Sequence, residues 1–189
     1  MERGAGTDAN RAVNVFVLNT GRCGSVTFIE ACRHIRNYSA AHESRVTQIG
    51  EQRLAYAANH IEADNRLCWC LGRLDRAYGD SAFYVHLRRD IDATAASFVK
   101  RRDFGIMKAW REGILLGGQP EQSDSAIALD YIDTVEANIE LFLRDKSRRM
   151  TVRLENAKAD FTAFWHRIGA EGDLDRALAA WNTLHNASE

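Results

Sequence analysis

The order of segments in this sequence predicts an α/β fold: a mostly parallel sheet of about five strands flanked by helices. Three observations carry that expectation. Short apolar runs rich in β-formers alternate with stretches of helical periodicity. The first such run, VNVFVL over residues 13–18, reads as a buried parallel strand. A glycine-containing turn follows it and leads directly into a helical pattern, the start of a βαβ unit.

Taken in order, residues 1–12 are small and polar and read as a flexible N-terminal arm, with a single domain over 13–189. After the first strand, residues 19–25 form a turn. From Val26 the spacing of Phe28, Ile29, Cys32 and Ile35 is helical. A second strand is expected over 38–42. A helix is expected over 45–58, with Ser44 as its N-cap. A third strand is expected over 60–63 because helices flank it. A helix over 67–78 stops at Gly79. Residues 82–87 (AFYVHL) form the clearest central strand and run into Arg88-Arg89-Asp90. Helices follow over 91–102 and 106–116, the latter ending at Gly117-Gly118 and Pro120. Asp124 opens a long helix to Leu143, with Ile127, Tyr131, Val135, Ile139 and Phe142 along one face. A last strand is expected over 150–154, and helices over 160–168 and 173–182 close the chain. Ligands in such a sheet bind at the carboxyl ends of the strands.

Composition excludes several classes. With 189 residues, 46% hydrophobic and 27% charged, the chain fits one soluble globular domain rather than a disordered one. A net charge of −1 offers no bulk basic surface for nucleic acid. No apolar run approaches the length of a membrane-spanning helix or a signal core. Cys23, Cys32, Cys68 and Cys70 fit a reducing compartment, so a cytoplasmic location is expected. Cys68 and Cys70 stand one residue apart with no second pair to complete a zinc site, and no metal is expected.

Two segments carry chemistry. The first is Thr20-Gly21-Arg22-Cys23-Gly24-Ser25-Val26-Thr27, between the first strand and the first helix. Its glycines permit a tight turn, and the amides of a helix start face outward where the dipole is positive. That arrangement binds phosphate or sulfate. Arg22 adds a full charge, and Ser25 and Thr27 add hydroxyls. It is not a Walker A loop, because Gly21 and Gly24 are three apart and no Lys-Ser/Thr follows. The second is Arg89 at the end of the central strand, with Ser97 eight positions on. Thr94, Ser97, Lys100 and Arg101 share one helical face by their spacing.

At these residues the chain resembles the sulfotransferases that use 3′-phosphoadenosine 5′-phosphosulfate (PAPS). The loop Thr20–Ser25 resembles their 5′-phosphosulfate loop. Leu87-Arg88-Arg89-Asp90 with Ser97-Phe98 resembles their 3′-phosphate motif, and Val152-Arg153-Leu154-Glu155 fits a late segment. The resemblance spans roughly residues 13–169. It implies a P-loop NTPase-like sheet and metal-free transfer of sulfuryl from PAPS, leaving PAP, to a hydroxyl or amine. The acceptor it implies is a small molecule, a carbohydrate or a lipid. Gly21, Arg22, Cys23, Gly24, Ser25, Val26, Thr27, Arg89 and Ser97 would bind the nucleotide. The chain departs from the family in three ways. Arg22 stands where many cytosolic members carry Lys, a late Arg-Lys-Gly nucleotide loop has no counterpart, and the chain is short. A P-loop-like kinase, or an inactive nucleotide-binding protein, would be built on the same fold.

Sulfuryl transfer needs in-line geometry, stabilisation of the leaving phosphate, and a base for the acceptor proton. Arg22 and the loop amides supply the stabilisation. His42 and Glu43, after the second strand, are the leading candidates for the base, with Glu43 first. Glu62 and Asp64 are read as following the third strand, and His86 as pointing into packing. Cys23, at a helix start beside Arg22, is expected to have a lowered pKa, with its backbone amide rather than its sulfur in use.

Overall fold

The computed structural model describes residues 13–182. The arm expected over residues 1–12 lies outside the described residues. Five parallel strands form one sheet in the order β2-β3-β1-β4-β5. They are β1 (Val15–Leu18), β2 (Ser39–His42), β3 (His60–Ala63), β4 (Phe83–Arg88) and β5 (Arg149–Arg153). Every residue of β1 is buried, because helices cover both faces of the sheet at its centre. Val15 stands beside Ile61 on one side and Phe83 on the other.

Strand alternation sorts the core into two layers. Val15, Val17, Val85, Leu87 and Val152 face α1 (Ser25–Cys32), α6 (Ala157–Arg167) and α7 (Leu174–Ala179), where Phe28 packs edge to face on Phe161 and at a tilt on Phe164. Phe16, Leu18 and Tyr84 face α2 (Leu71–Tyr78), α3 (Ile91–Val99) and α5 (Asp124–Leu143). α5 buries Ile127, Tyr131, Val135 and Ile139 on the face that its spacing predicts, and Ser123 caps it by accepting the Ala126 N–H. Its first residue is Asp124, but the capping side chain is Ser123.

Three segments differ from expectation. No helix forms over 45–58. The chain turns there and makes only a 3₁₀ segment, Gly50–Leu54. Glu43 and Gly50 hold left-handed φ values of 51° and 58°, which break a right-handed helix just before this stretch and within it. Ser44 is no N-cap, because its N–H and hydroxyl both donate to Glu62 across β3. The helix expected over 67–78 opens as a 3₁₀ turn, Asn65–Trp69, capped by Asp64, and becomes α-helical only at Leu71. The helix expected over 106–116 is α4 (Gly105–Ala109) followed by a wider π turn, Trp110–Ile114. Trp110 is buried there with its indole N–H on Asp130 at 3.1 Å.

Candidate active site

The strand order reverses direction between β1 and β4. β1 feeds toward β2 on one side, and β4 feeds toward β5 on the other. In open parallel sheets a crevice opens at such a point, outside the carboxyl ends of the strands. A cleft of 730 Å³ lies here. One wall is the β1–α1 loop with Gly21, Arg22, Gly24, Ser25, Val26 and Thr27. The facing wall is Arg89 with Ser97, Lys100 and Arg101. His42, Glu43, Asn65 and Arg66 form the end toward β2 and β3, and the segment 104–107 and Leu154 complete the rim.

The loop owes its shape to three left-handed residues, Gly21 (φ 92°), Arg22 (φ 61°) and Gly24 (φ 85°). Glycine takes this conformation without penalty, whereas Arg22 adopts it at a cost that surrounding contacts must hold down. Those contacts are dense. The Asn19 carboxamide oxygen accepts the Gly21 N–H at 2.8 Å, and the buried Tyr131 hydroxyl donates to the Thr20 carbonyl at 2.7 Å. A Cβ on Gly21 would stand 2.9 Å from the Asn65 amide nitrogen, and one on Gly24 would stand 2.8 Å from a Leu154 methyl. Gly24 then caps α1, which starts at Ser25. The first amides of a helix have no partner within it, so they are available at the cleft.

The two segments singled out in the sequence meet here. Arg22 Nε donates to the Ser97 hydroxyl at 2.8 Å, and Arg89 donates to the Arg22 carbonyl at 3.2 Å. The pKa of Arg22 is lowered, first by burial and then by the charges of Arg101 and Arg89. Cations pressed together in this way are stabilised by a polyanion between them. The Asp90 N–H donates to Glu155 at 2.7 Å, which ties the end of β4 to the segment after β5.

His42 and Glu43 both line the cleft. His42 Nε2 lies 3.0 Å from the Ser25 hydroxyl, so the second strand is tied to the loop. Glu43 Oε1 lies 2.9 Å from the Arg66 guanidinium.

Several expected roles change. The Cys23 thiol does not face the cleft. It is buried between the Thr20 hydroxyl (3.2 Å) and the Gly21 carbonyl (3.1 Å), and burial pushes its pKa up to about 11 instead of lowering it. Glu62 lies within β3, not after it, and is fully buried, as is Asp64, which pairs with Arg53. Neither lines the cleft. Thr94 is buried with its hydroxyl on the Asp90 carbonyl at 2.8 Å, whereas Ser97, Lys100 and Arg101 of the same series reach the cleft. His86 is buried in packing, 3.2 Å from Glu136. Among the described residues, no group of three His, Cys, Asp or Glu side chains gathers as a metal site.

Sequence reasoning missed Asn65 and Arg66; it gave Leu154 only within the late segment 152–155, and named 104–124 as a stretch that shapes the acceptor pocket without singling out Phe104, Ile106 or Met107. Asn65 and Arg66 carried a signal, since they follow a parallel strand and so belong at the ligand-binding rim. Which residues of 104–107 reach the cleft was not legible, because that depends on where α4 sits in the fold.

No family model matches the chain, and no curated protein does. Among solved structures it is similar to a mouse sulfotransferase complexed with PAP, with a TM-score of 0.58 and 11% identity. The match covers 91% of this chain and 65% of the other, so this chain spans just under two thirds of the length of its structural relative. At that identity the likeness is one of fold, and the chain has the fold of a sulfotransferase.

Proposed function

We propose that this protein is a PAPS-dependent sulfotransferase that acts on a hydroxyl or amine of a small-molecule, carbohydrate or lipid acceptor. One observation carries the reading: the two segments read from sequence as anion-binding, with Arg22 and Ser97 lying 75 residues apart, are joined in one cleft with Arg89. The similar mouse enzyme is complexed with PAP, which carries phosphates at its 3′ and 5′ positions. The residues present suit such a nucleotide. A cleft of 730 Å³ is the size of a cofactor site. The loop amides and Arg22 would take the 5′ side, and Arg89 with Ser97 the 3′-phosphate.

PAPS supplies the sulfuryl group: the acceptor oxygen or nitrogen bonds to sulfur as the bond from sulfur to the bridging phosphate oxygen breaks, and PAP leaves. The chain's own residues do the rest. Arg22 and the amides at the start of α1 stabilise charge on the departing phosphate from fixed positions. Glu43 takes the acceptor's proton. Its Oε1 is paired with Arg66, which holds the carboxylate at the cleft's edge. His42, hydrogen-bonded to Ser25, holds the loop against the second strand and is the alternative base. Arg22 on the 5′ side, and Arg89 with Lys100 and Arg101 on the facing wall, would balance the nucleotide's charge, so the proposed chemistry calls for no metal.

The test is transfer of label from ³⁵S-PAPS in EDTA to a panel of phenols, alcohols, amines, oligosaccharides and glycolipids. Labelled product with at least one acceptor class supports the reading. PAP binding with no product from any class would instead support an inactive nucleotide-binding protein.

A further inference from the structure

Glu62 is a carboxylate with no solvent exposure, in the middle of the sheet's third strand. Burying a charge is costly unless hydrogen bonds satisfy it. Glu62 accepts three. Its Oε1 takes the Ser44 backbone N–H at 2.7 Å. Its Oε2 takes the Ser44 hydroxyl at 2.6 Å and lies 2.9 Å from His60 Nε2. Both donors of a single loop residue are thus held by a single carboxylate on the neighbouring strand.

Ser44 directly follows Glu43. Glu43 has φ 51°, a conformation that a side-chain-bearing residue holds only when its neighbours impose it. The Glu43 N–H donates to the Ala63 carbonyl at 3.0 Å, and His42 pairs in register with Ala63. The turn is therefore pinned on both sides of Glu43, from one strand. Two residues beyond Glu62, Asp64 does the same for the other half of the Glu43–Arg66 pair, accepting the Arg66 N–H at 2.8 Å. A buried carboxylate is seldom the most stabilising choice for a core position. This one is committed to the turn that carries the base.

We propose that Glu62 is a positioning residue, acting through Ser44 to fix Glu43 at the cleft. The proposal rests on the reading of Glu43 as the base. Among the described residues the hydrogen bonds of Glu62 go to Ser44 and His60 rather than to the donor loop or the 3′ side, so its loss should act on the chemical step and spare the donor. Misplacing a catalytic group by about 1 Å can cost about a hundredfold in rate.

The test compares Ser44→Ala, Ser44→Thr, Glu62→Gln and Glu43→Gln. Ser44→Ala removes one hydrogen bond and leaves the backbone one, so it keeps the proposal testable if Glu62→Gln fails to fold. In Ser44→Ala, kcat should fall about tenfold, with PAP Kd within about twofold and acceptor KM within about threefold of wild type. Ser44→Thr, which restores the hydroxyl, should recover most of the rate. Hydrogen exchange at the Ser44 amide should quicken in Glu62→Gln, a readout independent of turnover. The double variant Ser44→Ala/Glu62→Gln should be no slower than Glu62→Gln alone, because both act along one path. A residue of merely structural importance would lower Tm and weaken PAP and acceptor binding together. If Glu43→Gln is slow but Ser44→Ala and a folded Glu62→Gln stay within threefold of wild type, this proposal fails and the base assignment stands. If Glu43→Gln itself is as fast as wild type, both fail.

Discussion

The guanidinium of Arg22 donates to the hydroxyl of Ser97 at 2.8 Å, joining the loop after the first strand to the helix after the fourth. Each residue alone is ordinary: an arginine in a glycine turn, and a serine on a helix. The contact exists because β1 and β4 are adjacent and parallel, with Leu18 beside His86, so their carboxyl ends open onto one crevice. Arg89 closes the group by donating to the Arg22 carbonyl.

Replacing Arg89 by Ala should weaken PAP binding by about 12- to 150-fold, the loss of a charge-assisted contact of about 1.5–3 kcal/mol. Adenosine 5′-phosphosulfate lacks the 3′-phosphate, so its affinity should fall much less. Titrations of both ligands against both proteins would check this. Equal losses would remove Arg89 from the 3′-phosphate.

Gly24→Ala tests the loop's backbone. At φ 85° a Cβ is strained whatever space surrounds it, and here it would also stand 2.8 Å from a Leu154 methyl. The methyl can move, so the main penalty is conformational, about 1–2 kcal/mol. Thermal melting should show a folded protein with a modestly lower Tm, and PAP affinity should drop at least about tenfold as the amides at the start of α1 shift. Unchanged affinity would show that these amides do not hold the ligand.

Glu43→Gln keeps the shape of the carboxylate and removes its basicity. It should bind PAP as wild type does and transfer sulfuryl at least about a hundredfold more slowly, within the range for a positioned base. A kcat within threefold of wild type would pass the role to His42.

The buried thiols predict behaviour at alkaline pH. Burial pushes Cys23 up to about 11 and Cys68 up to about 12, and holds Cys32 well above the ordinary thiol range. Thiols in the unfolded chain titrate near about 8.5. Between those values the unfolded state binds fewer protons than the folded one, so the stabilisation is complete below about pH 8.5 and declines as pH rises toward 11 and 12. Urea unfolding should lose up to about 1.4 kcal/mol per pH unit for each such thiol above that point. A flat stability from pH 8 to 10 would contradict the burial. Iodoacetamide at pH 8 should label the partly exposed Cys70 in the folded protein and leave Cys23 unmodified until denaturant is added.

The parts of this architecture written in local pattern could be read from the sequence. Residues 82–87 and the long helix from 124 announce themselves by period and apolar content, and the Gly21/Gly24 turn announces a tight loop. Residues 45–58 misled because Ser44 looks like an N-cap, and its true partner, Glu62, is 18 positions away on another strand. Cys23 misled for a related reason. Its place at a helix start suggests an activated thiol, yet its side chain turns inward to Thr20, and burial outweighs the dipole. Arg66 could have been placed at the rim from the strand before it, whereas the rim over 104–107 belongs to the cleft through tertiary packing that no local pattern encodes.

Calorimetric titration of PAP into the protein in the presence of EDTA tests the central claim most directly. The anion sites proposed at Arg22 and at Arg89 with Ser97 predict saturable, one-to-one binding without metal, weakening as salt rises. No detectable heat at high micromolar PAP, with ATP and magnesium binding instead, would contradict the account and point to phosphoryl transfer.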